Sequence, residues 1–399
     1  MTSRSNPLPR RDWFLLPFIA AATVLLVCAA SEIVARYAFP DSAENPLDCM
    51  ILNDPATGIR GLPNSVCHGQ QPETPMVEYR FNRCGHRAGV ECGPKPPDTY
   101  RIVIIGSSFA EGFLVPREQT FAALLPAELS QRLERKVEVY NTAVQQHSAR
   151  SVSLQMDQVF ALEPDLILWP INSWDFSNAD FTTFVRPSRP PGDLPSIGTA
   201  VSEALHKKGF GGALGVGVAL SIELIIHNRT QLMIRHLLYL SETQYDRNAK
   251  SSTYEVGFLR ANPDPASLHQ LEQFDLYATE IEKKAQAAHV PLAVTVLPLR
   301  LQASMIALQE RSPELDPYQP DRFARSVVES NGGIFVDILP AFQRVPSTGR
   351  YYYAVDGHPN ARGHALFANI LADALTSGAV PALAAQRVLT PPPADSSRP

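Results

Sequence analysis

The 399-residue sequence has no run of basic residues after residue 12, and its formal net charge is -5. Proteins that bind nucleic acid normally carry a basic stripe or patch that neutralises phosphate groups, so the charge pattern argues against that class of function. The sequence contains no internal repeat, which argues against a repeat architecture. With 45% hydrophobic and 19% charged residues, the composition is that of a globular protein with one large domain or two smaller ones.

Cysteine is scarce, since the chain has five and none follows residue 92. Cys28 lies inside an apolar segment, and the others are Cys49, Cys67, Cys84 and Cys92. An even number of clustered cysteines is typical of disulfides that form outside the cytoplasm. Three pairings are open, and we favour first with second and third with fourth, because each bond then closes a short loop. The alternative is a zinc site that includes His68 and His86, but the Cys-x-x-Cys pair typical of such sites is missing.

The N-terminal segment predicts a membrane anchor. Three arginines among the first 11 residues precede an uncharged stretch from residue 13 to 31, and about 20 apolar residues suffice to cross the hydrocarbon core of a bilayer. Because the basic flank stays inside, we expect residues 1–12 to be cytoplasmic and 13–38 to cross the inner (cell) membrane once, with the rest periplasmic or otherwise extracytoplasmic. The alternative is a cleaved signal peptide, whose apolar core is normally shorter, about 7–15 residues.

After a Cys-rich cap or linker at 40–98, which is predicted to be irregular, strands and helices alternate over residues 99–378. Strands are expected at 100–105, 137–140, 166–171, 291–297 and 334–336, and helices at 121–135, 149–162, 271–288, 321–330 and 361–376. The strand segments are short and rich in branched apolar residues, as in buried parallel strands. The alternation predicts an α/β fold of three layers, with a parallel sheet between two layers of helices.

Two parts of the chain do not fit this alternation. Residues 176–265 form an insertion with a Pro-rich loop near 183–195 and an apolar stretch at 209–226. For the apolar stretch we favour an inserted helical lid or a membrane-facing helix. The alternative is a second membrane span, which would separate the two halves of the chain across the membrane. The tail at 379–399 is expected to be disordered.

Two loops carry side chains suited to nucleophilic catalysis. Reactive residues in parallel sheets gather at the carboxyl ends of strands, and Ser108 lies in the loop 106–112 that directly follows the first strand. Asp356 and His358 precede the last helix, where a carboxylate beside an imidazole holds one tautomer and stabilises the imidazolium. Each group has an ordinary alternative, since a serine after a strand is often a helix cap and a histidine in a Gly/Pro loop is often a surface residue.

Two further loops offer hydrogen-bond donors for an oxyanion. The loop 141–148 contains the backbone N–H of Ala143, and the loop 172–175 contains the side-chain amide of Asn172. Donors of this kind, together with the N–H of Ser108, stabilise the negative charge that develops on an acyl carbonyl oxygen.

In order and spacing, these segments resemble the SGNH/GDSL hydrolase family, in its branch of single-span bacterial membrane proteins. The Gly-Asp-Ser block of that family, with a Gly a few residues on, is similar to Gly106-Ser107-Ser108-Phe-Ala-Glu-Gly112. Its last block, an Asp and a His followed by Asn and a Gly-His pair, is similar to residues 356–364. The resemblance covers about residues 78–378, apart from the insertion.

The middle blocks resemble the family less closely. The second block is similar to residues 141–148, with Ala143 and Gln146 where the family has glycines, and Pro164-Asp165 resembles the lead-in to the third. An upstream Asn-x-x-Gly-x-Arg element is similar to residues 82–87.

Two substitutions depart from the family's pattern near the expected site. Ser107 stands where the first block has Asp, so the nucleophile turn would be braced differently. In the third block, Trp174 stands where the family Asn precedes an Asp, and Asn172 lies two residues earlier.

The resemblance implies a flavodoxin-like SGNH hydrolase fold and a serine esterase or O-acyltransferase. Ser108 would be the nucleophile, His358 the base and Asp356 the residue that orients the base, with no metal or cofactor. Asp356 and His358 are separated by one residue, a spacing that also occurs in related polysaccharide O-acetyltransferases of the alginate type.

The expected compartment suggests acylated envelope glycans or lipids as substrates. A transferase with a single span would need a multispan partner that carries acyl groups, or a periplasmic acyl donor. The altered middle blocks leave open two alternatives: a catalytically inactive relative that binds glycan or serves an envelope complex, and an anchored structural domain with unrelated chemistry.

Overall fold

The computed structural model describes residues 9, 11–40, 46–177 and 229–384. The Pro-rich loop, the apolar stretch at 209–226 and the end of the tail from residue 385 lie outside the described residues. The lid and the second membrane span therefore stay predictions. The tail that was expected to be disordered from residue 379 is ordered at its start, because Pro381–Leu383 forms a short 3-10 helix and Val380 and Leu383 are buried in the core. Disorder of residues 385–399 stays a prediction. The chain divides into two compact units, one formed by 1–41 with 187–238 and the other by 42–186 with 239–399.

The strands are β1 Met50–Asp54, β2 Gly58–Gly61, β3 Val66–Gly69, β4 Val77–Arg80, β5 Thr99–Ile104, β6 Lys136–Asn141, β7 Leu166–Ile171, β8 Leu292–Val296 and β9 Ile334–Phe335. The α-helices are α1 Asp12–Ala38, α2 Ser108–Glu111, α3 Phe121–Leu133, α4 Ala149–Leu154, α5 Met156–Phe160, α6 Ser173–Ser177, α7 Arg229–Tyr239, α8 Glu242–Ala249, α9 Thr253–Val256, α10 Pro265–Ala287, α11 Arg300–Ala307, α12 Gln319–Ser330 and α13 Ala361–Ala374.

The last five strands form one parallel sheet in the order β6-β5-β7-β8-β9. In sequence order within the sheet this is 2-1-3-4-5, the arrangement of flavodoxin-like doubly wound folds. The predicted parallel α/β sheet is confirmed. No strand of this sheet begins or ends more than one residue from its predicted position.

Alternate residues of the strands pack against helices on opposite faces of the sheet. Ile102 and Ile104 join a core with α3 and α13, whereas Val103 and Ile105 join a second core with α4 and α10. All four side chains are fully buried, and burial of such a side chain contributes about 1.5–3 kcal/mol. The two apolar faces give the three layers that the sequence predicted.

Two predicted helices differ in extent. The helix expected at 149–162 is interrupted at Gln155, giving α4 and α5. The helix expected at 271–288 begins earlier, at Pro265, because Asp264 caps it by accepting a hydrogen bond from Ser267 N at 2.8 Å. Proline is favoured in the first turn of a helix, where the missing N–H would have no acceptor.

The Cys-rich segment is more regular than predicted. It contains two antiparallel hairpins, β1–β2 and β3–β4, and it belongs to the same compact unit as the parallel sheet. Disulfides join Cys49 to Cys67 and Cys84 to Cys92, which is the pairing favoured from the sequence. A sulfur in a disulfide is not available as a thiolate ligand, so these four cysteines do not form the alternative zinc site.

The N-terminal helix α1 is long and apolar enough to cross a membrane. Its segment Leu15–Ala38 has a mean hydropathy of 2.2. Near its end, the Glu32 carboxylate accepts hydrogen bonds from the N–H groups of Arg229 and Thr230, at 3.1 and 3.0 Å. Glu32 thus satisfies two of the backbone donors that the first turn of α7 leaves without intrahelical acceptors.

Candidate active site

A tight turn after β5 presents Ser108 at the start of the short helix α2. Gly106 has φ 136, and a Cβ at this position would lie 3.0 Å from Ala110 Cβ and 3.3 Å from Pro170 O. Only glycine adopts this conformation without strain and also fits the space. Gly112, with φ 80, ends the helix and turns the chain away. Backbone geometry thus requires glycine at both Gly106 and Gly112.

Ser108, His358 and Asp356 form a continuous hydrogen-bonded chain. Ser108 Oγ lies 2.9 Å from His358 Nε2, and His358 Nδ1 lies 2.7 Å from Asp356 Oδ1. The same Asp356 oxygen accepts the backbone N–H of His358 at 3.0 Å. These distances are those of a nucleophile, a base and an orienting carboxylate.

The surroundings keep Asp356 ionised. Burial acts to raise its pKa, but the charge of His358 and the hydrogen bonds from the His358 side chain and backbone outweigh burial, so the pKa lies below its ordinary value. An ionised carboxylate in this position can stabilise a protonated imidazole at His358.

Three aromatic rings enclose the His358 imidazole. The ring centroids of Phe109, Phe113 and Trp174 lie 5.3, 5.2 and 5.3 Å from that of His358. Phe109 is 1% exposed, while Phe113 and Trp174 are partly exposed. The imidazole is therefore fixed by packing against aromatic rings as well as by hydrogen bonds.

The predicted backbone donor of the second block already has an acceptor. Ala143 N donates to Asn141 Oδ1 at 3.0 Å, and Asn141 Nδ2 donates to Ala110 O at 2.8 Å. Gln146 has φ 67, a left-handed conformation that normally favours glycine. Gln146 thus adopts a backbone conformation that favours glycine, and the Ala143 N–H is engaged within the protein.

The side chain of Asn172 is likewise engaged. Its Oδ1 accepts the backbone N–H of Trp174 at 2.8 Å, and its Nδ2 donates to Asp175 Oδ2 at 3.1 Å. An amide nitrogen has two hydrogens, so one remains for another acceptor. The Trp174 ring packs against the loop that carries Asp356 and His358, and one of its atoms lies 3.3 Å from where a Cβ on Gly357 would be. Whether Asn172 turns its remaining amide hydrogen toward a substrate stays a prediction.

Asp175 connects the third loop to the nucleophile turn, a contact that sequence reasoning missed. Its Oδ2 accepts the Asn172 backbone N–H at 2.8 Å, and its carboxylate also hydrogen-bonds the Ser107 side chain. Burial raises the pKa of Asp175 to about 6, although the hydrogen bonds from Ser107 and Asn172 and the charge of His358 act to lower it. The segment that follows β7 thus places a carboxylate beside residue 107.

The substitution Asp175→Asn should change how stability depends on pH. Because the folded-state pKa, about 6, is above the ordinary value of 3.8, the folded protein binds more protons between these values and loses stability as pH rises through that window. The carboxamide of the variant would have no charge to bury and would keep an oxygen that accepts from Asn172. We expect a thermal unfolding midpoint that falls less between pH 4 and pH 6 than in the wild type. The control is Asp157→Asn, at an exposed position, and parallel curves for all three proteins would contradict this account of Asp175.

Glu111, in α2, is a second carboxyl group that the sequence did not single out. It is 1% exposed, and its Oε2 accepts the N–H of Gln145 at 3.1 Å. Burial raises the pKa of Glu111 to about 7, against the charge of Arg87 and the hydrogen bond from Gln145. Glu111 thereby ties the nucleophile helix to the loop 141–148.

The upstream Asn-x-x-Gly-x-Arg element braces the chain that follows Ser108. Arg87 is 2% exposed, and its guanidinium donates to the carbonyl oxygens of Gly112 at 2.9 Å and Val115 at 2.7 Å. Asn82 shapes the turn that carries Arg87, because its Oδ1 accepts the N–H groups of Cys84 and His86, both at 3.0 Å. The element therefore contacts the nucleophile segment directly.

Comparisons with known proteins find distant structural likenesses. No family model matches the sequence, and no curated protein matches it at a significant level. Among solved structures, TesA aligns with a TM-score of 0.35 and 11% identity over 69% of this chain and 98% of that chain. The psychrotrophic esterase EstA from Pseudoalteromonas sp., inhibited by monoethylphosphonate, aligns with a TM-score of 0.37 and 10% identity over 69% and 97%.

A lipase/acylhydrolase from Enterococcus faecalis aligns with a TM-score of 0.36 and 12% identity over 70% of this chain and 96% of that chain. Identities and TM-scores of this size do not place the chain in a family. The function proposed below rests on the distances within the site.

Proposed function

We propose that the chain is a serine hydrolase of the SGNH/GDSL type, acting as an esterase or an O-acyltransferase. The observation that carries the proposal is the chain of contacts from Ser108 Oγ to His358 Nε2 at 2.9 Å and from His358 Nδ1 to Asp356 at 2.7 Å. A serine hydroxyl is a weak nucleophile until an adjacent base takes its proton, and this arrangement supplies that base.

Catalysis would proceed by acyl transfer to Ser108. As Ser108 Oγ bonds to the acyl carbonyl carbon, its proton passes to His358 Nε2, while Asp356 holds the Nδ1–H of the imidazolium. When the tetrahedral intermediate collapses, the same proton passes to the departing alkoxide and the ester is left on Ser108. Water or a sugar hydroxyl then gives its proton to His358 Nε2 as its oxygen bonds to the acyl carbon. When this second intermediate collapses, the bond from the acyl carbon to Ser108 Oγ breaks, His358 returns the proton to Ser108 Oγ, and the acid or the acylated sugar leaves.

Oxyanion stabilisation is where this site differs most from an ideal one. The Ser108 N–H lies in the first turn of α2, where backbone donors have no intrahelical acceptor. The Ala143 N–H donates to Asn141 Oδ1 and would have to leave that acceptor to reach the substrate, whereas Asn172 Nδ2 uses only one of its two hydrogens within the protein. Loss of one oxyanion donor typically lowers kcat about 100- to 1000-fold, which predicts a slow esterase unless substrate binding reorients these groups.

The substrates we propose are acylated envelope glycans or lipids. The membrane-crossing length of α1 and the two disulfides support an anchored domain outside the cytoplasm. Transfer to a glycan would require an acyl donor on the same side of the membrane, supplied by a multispan partner or as a soluble ester.

The engaged donors also favour a second candidate, a catalytically inactive protein that binds glycan or serves an envelope complex. The full-length protein in lipid nanodiscs separates the two when it is assayed with p-nitrophenyl acetate, with and without an oligosaccharide acceptor. Release of acetate indicates an esterase, and acetylated oligosaccharide detected by mass spectrometry indicates a transferase. No acyl release from short-chain esters or O-acetylated glycan would contradict the enzyme and favour the second candidate.

A further inference from the structure

We propose that Glu73, in the disulfide-bonded segment, is a positioning residue for the Asp356–His358 pair. This inference rests on the proposed function and extends it, because it makes the Cys-rich segment part of the catalytic apparatus and not only a cap or linker.

Glu73 caps the loop that carries the catalytic carboxylate. Its Oε2 accepts the backbone N–H groups of Val355 and Asp356, both at 2.9 Å, and its Oε1 lies 3.1 Å from the Val355 nitrogen. Hydrogen bonds to an ionised acceptor are about twice as strong as those between neutral groups. Glu73 therefore fixes the backbone of Asp356 itself, the residue whose side chain orients His358.

The same loop is held from a second direction. Arg300, 2% exposed, donates to Ala354 O at 2.7 Å, and Tyr353 N donates to His358 O at 2.9 Å. The Glu73 carboxylate thus accepts hydrogen bonds from N–H groups of the loop, and the Arg300 guanidinium donates one to a carbonyl oxygen of the same loop. Without the Glu73 carboxylate, the loop would keep its hydrogen bond from Arg300 but would lose the acceptor for its Val355 and Asp356 N–H groups.

Glu73 is itself mounted on a rigid turn between β3 and β4. Gln71 N donates to Thr74 Oγ1, and Thr74 N donates to Gln71 O, both at 2.9 Å. At the base of the hairpin, Cys67 is bonded to Cys49. The neighbouring Gly69 is packed so closely that a Cβ would lie 2.5 Å from Pro46 Cδ. The disulfide and this close packing hold the base of the hairpin in place, and the hairpin in turn positions Glu73.

Loss of the carboxylate should lower turnover without affecting substrate binding. The reacting groups must be held closely, and a misplacement of about 1 Å costs roughly 100-fold in rate. We expect Glu73→Ala to lower kcat about 10- to 100-fold with KM within about twofold. Glu73→Gln keeps an oxygen that accepts two N–H groups, so it should recover kcat to within about fivefold of the wild type.

The test uses the full chain in nanodiscs with a short-chain ester. Glu78→Ala is the matched control, because Glu78 lies in the same hairpin and its side chain is 47% exposed and paired with Arg80 on the surface. Hydrogen exchange of residues 353–358 gives a readout that does not depend on turnover, and it should accelerate in Glu73→Ala but not in Glu73→Gln or Glu78→Ala.

The outcomes distinguish this inference from the function on which it rests. An inactive wild type would overturn both. An active wild type with Glu73→Ala indistinguishable from Glu78→Ala would overturn the positioning role alone. A rise in KM with unchanged kcat would also overturn it, as would equal losses in Glu73→Ala and Glu73→Gln with unchanged exchange in the loop.

Discussion

Ser108→Ala is expected to abolish covalent labelling by a fluorophosphonate probe and to lower kcat at least about 10⁴-fold. The probe reacts with an activated serine hydroxyl, and Ser108 Oγ is the hydroxyl that contacts His358 Nε2 in this site. Removing the nucleophile leaves only substrate binding and oxyanion stabilisation, which account for a small part of catalysis in serine hydrolases. The substitution removes one oxygen, and Ala is a good helix former at the start of α2, so the fold should be retained.

The measurement is in-gel labelling of membranes together with ester hydrolysis by the purified protein. Ser251→Ala is the matched control, because this serine hydroxyl is exposed and bonds only locally to Asn248 O. The combination Ser108→Ala/His358→Ala should be no slower than Ser108→Ala alone, since residues that act as one unit are not additive. Labelling that persists in Ser108→Ala would show that the reactive serine is elsewhere.

The parallel sheet could be predicted because its strands follow rules that are local in sequence. Branched apolar runs such as β7 give strands, and carboxyl ends of parallel strands meet at one edge of the sheet. Ser108 and His358 are 250 residues apart in the chain, and the prediction that they meet rested on the resemblance of their segments, in order and spacing, to the SGNH/GDSL blocks. The short loops between cysteines similarly favoured the two disulfides.

The hairpins of the Cys-rich segment could not be predicted in the same way. β2, β3 and β4 have four residues each. β2 and β3 do not alternate between apolar and polar residues, and the alternation of β4 covers only the shortest run that identifies a half-buried strand. Glu73 lies in a polar, Pro-containing turn and is 283 residues from Asp356. No local pattern links the two, because the contact exists only after the hairpin has docked on the α/β domain.

The oxyanion donors show a different limit. The sequence pointed to two loops, but whether an N–H in such a loop faces a substrate depends on which acceptor lies closest in the fold. The Asn141 side chain is short enough to accept a hydrogen bond from the Ala143 N–H in its own turn. Asp175, three residues after Asn172, likewise accepts a hydrogen bond from the Asn172 side-chain amide. Asn and Asp side chains commonly satisfy nearby backbone donors like this, and the competition is not visible in a motif.

Asp356→Asn is the second substitution expected to have a very large effect, a loss of about 10⁴-fold in kcat. The Asp356 carboxylate accepts from His358 Nδ1 at 2.7 Å, which leaves Nε2 without a hydrogen and able to take the Ser108 proton. An amide in this place can donate to Nδ1 instead, and the imidazole would then carry its hydrogen on Nε2 and fail as a base. The carboxamide also lacks the charge that stabilises the imidazolium.

The expected signature is a fall in kcat and kcat/KM by similar factors, because the lost interaction is made in the transition state and not with bound ester. Fluorophosphonate should still modify Ser108 in Asp356→Asn, but slowly, since the hydroxyl remains while its activation is lost. Asp275→Asn, on the exposed side of α10, is the matched control and should behave as the wild type. If Asp356→Asn labelled and turned over at the wild-type rate, the Asp356–His358 hydrogen bond would be structural only, and another group would have to orient the base.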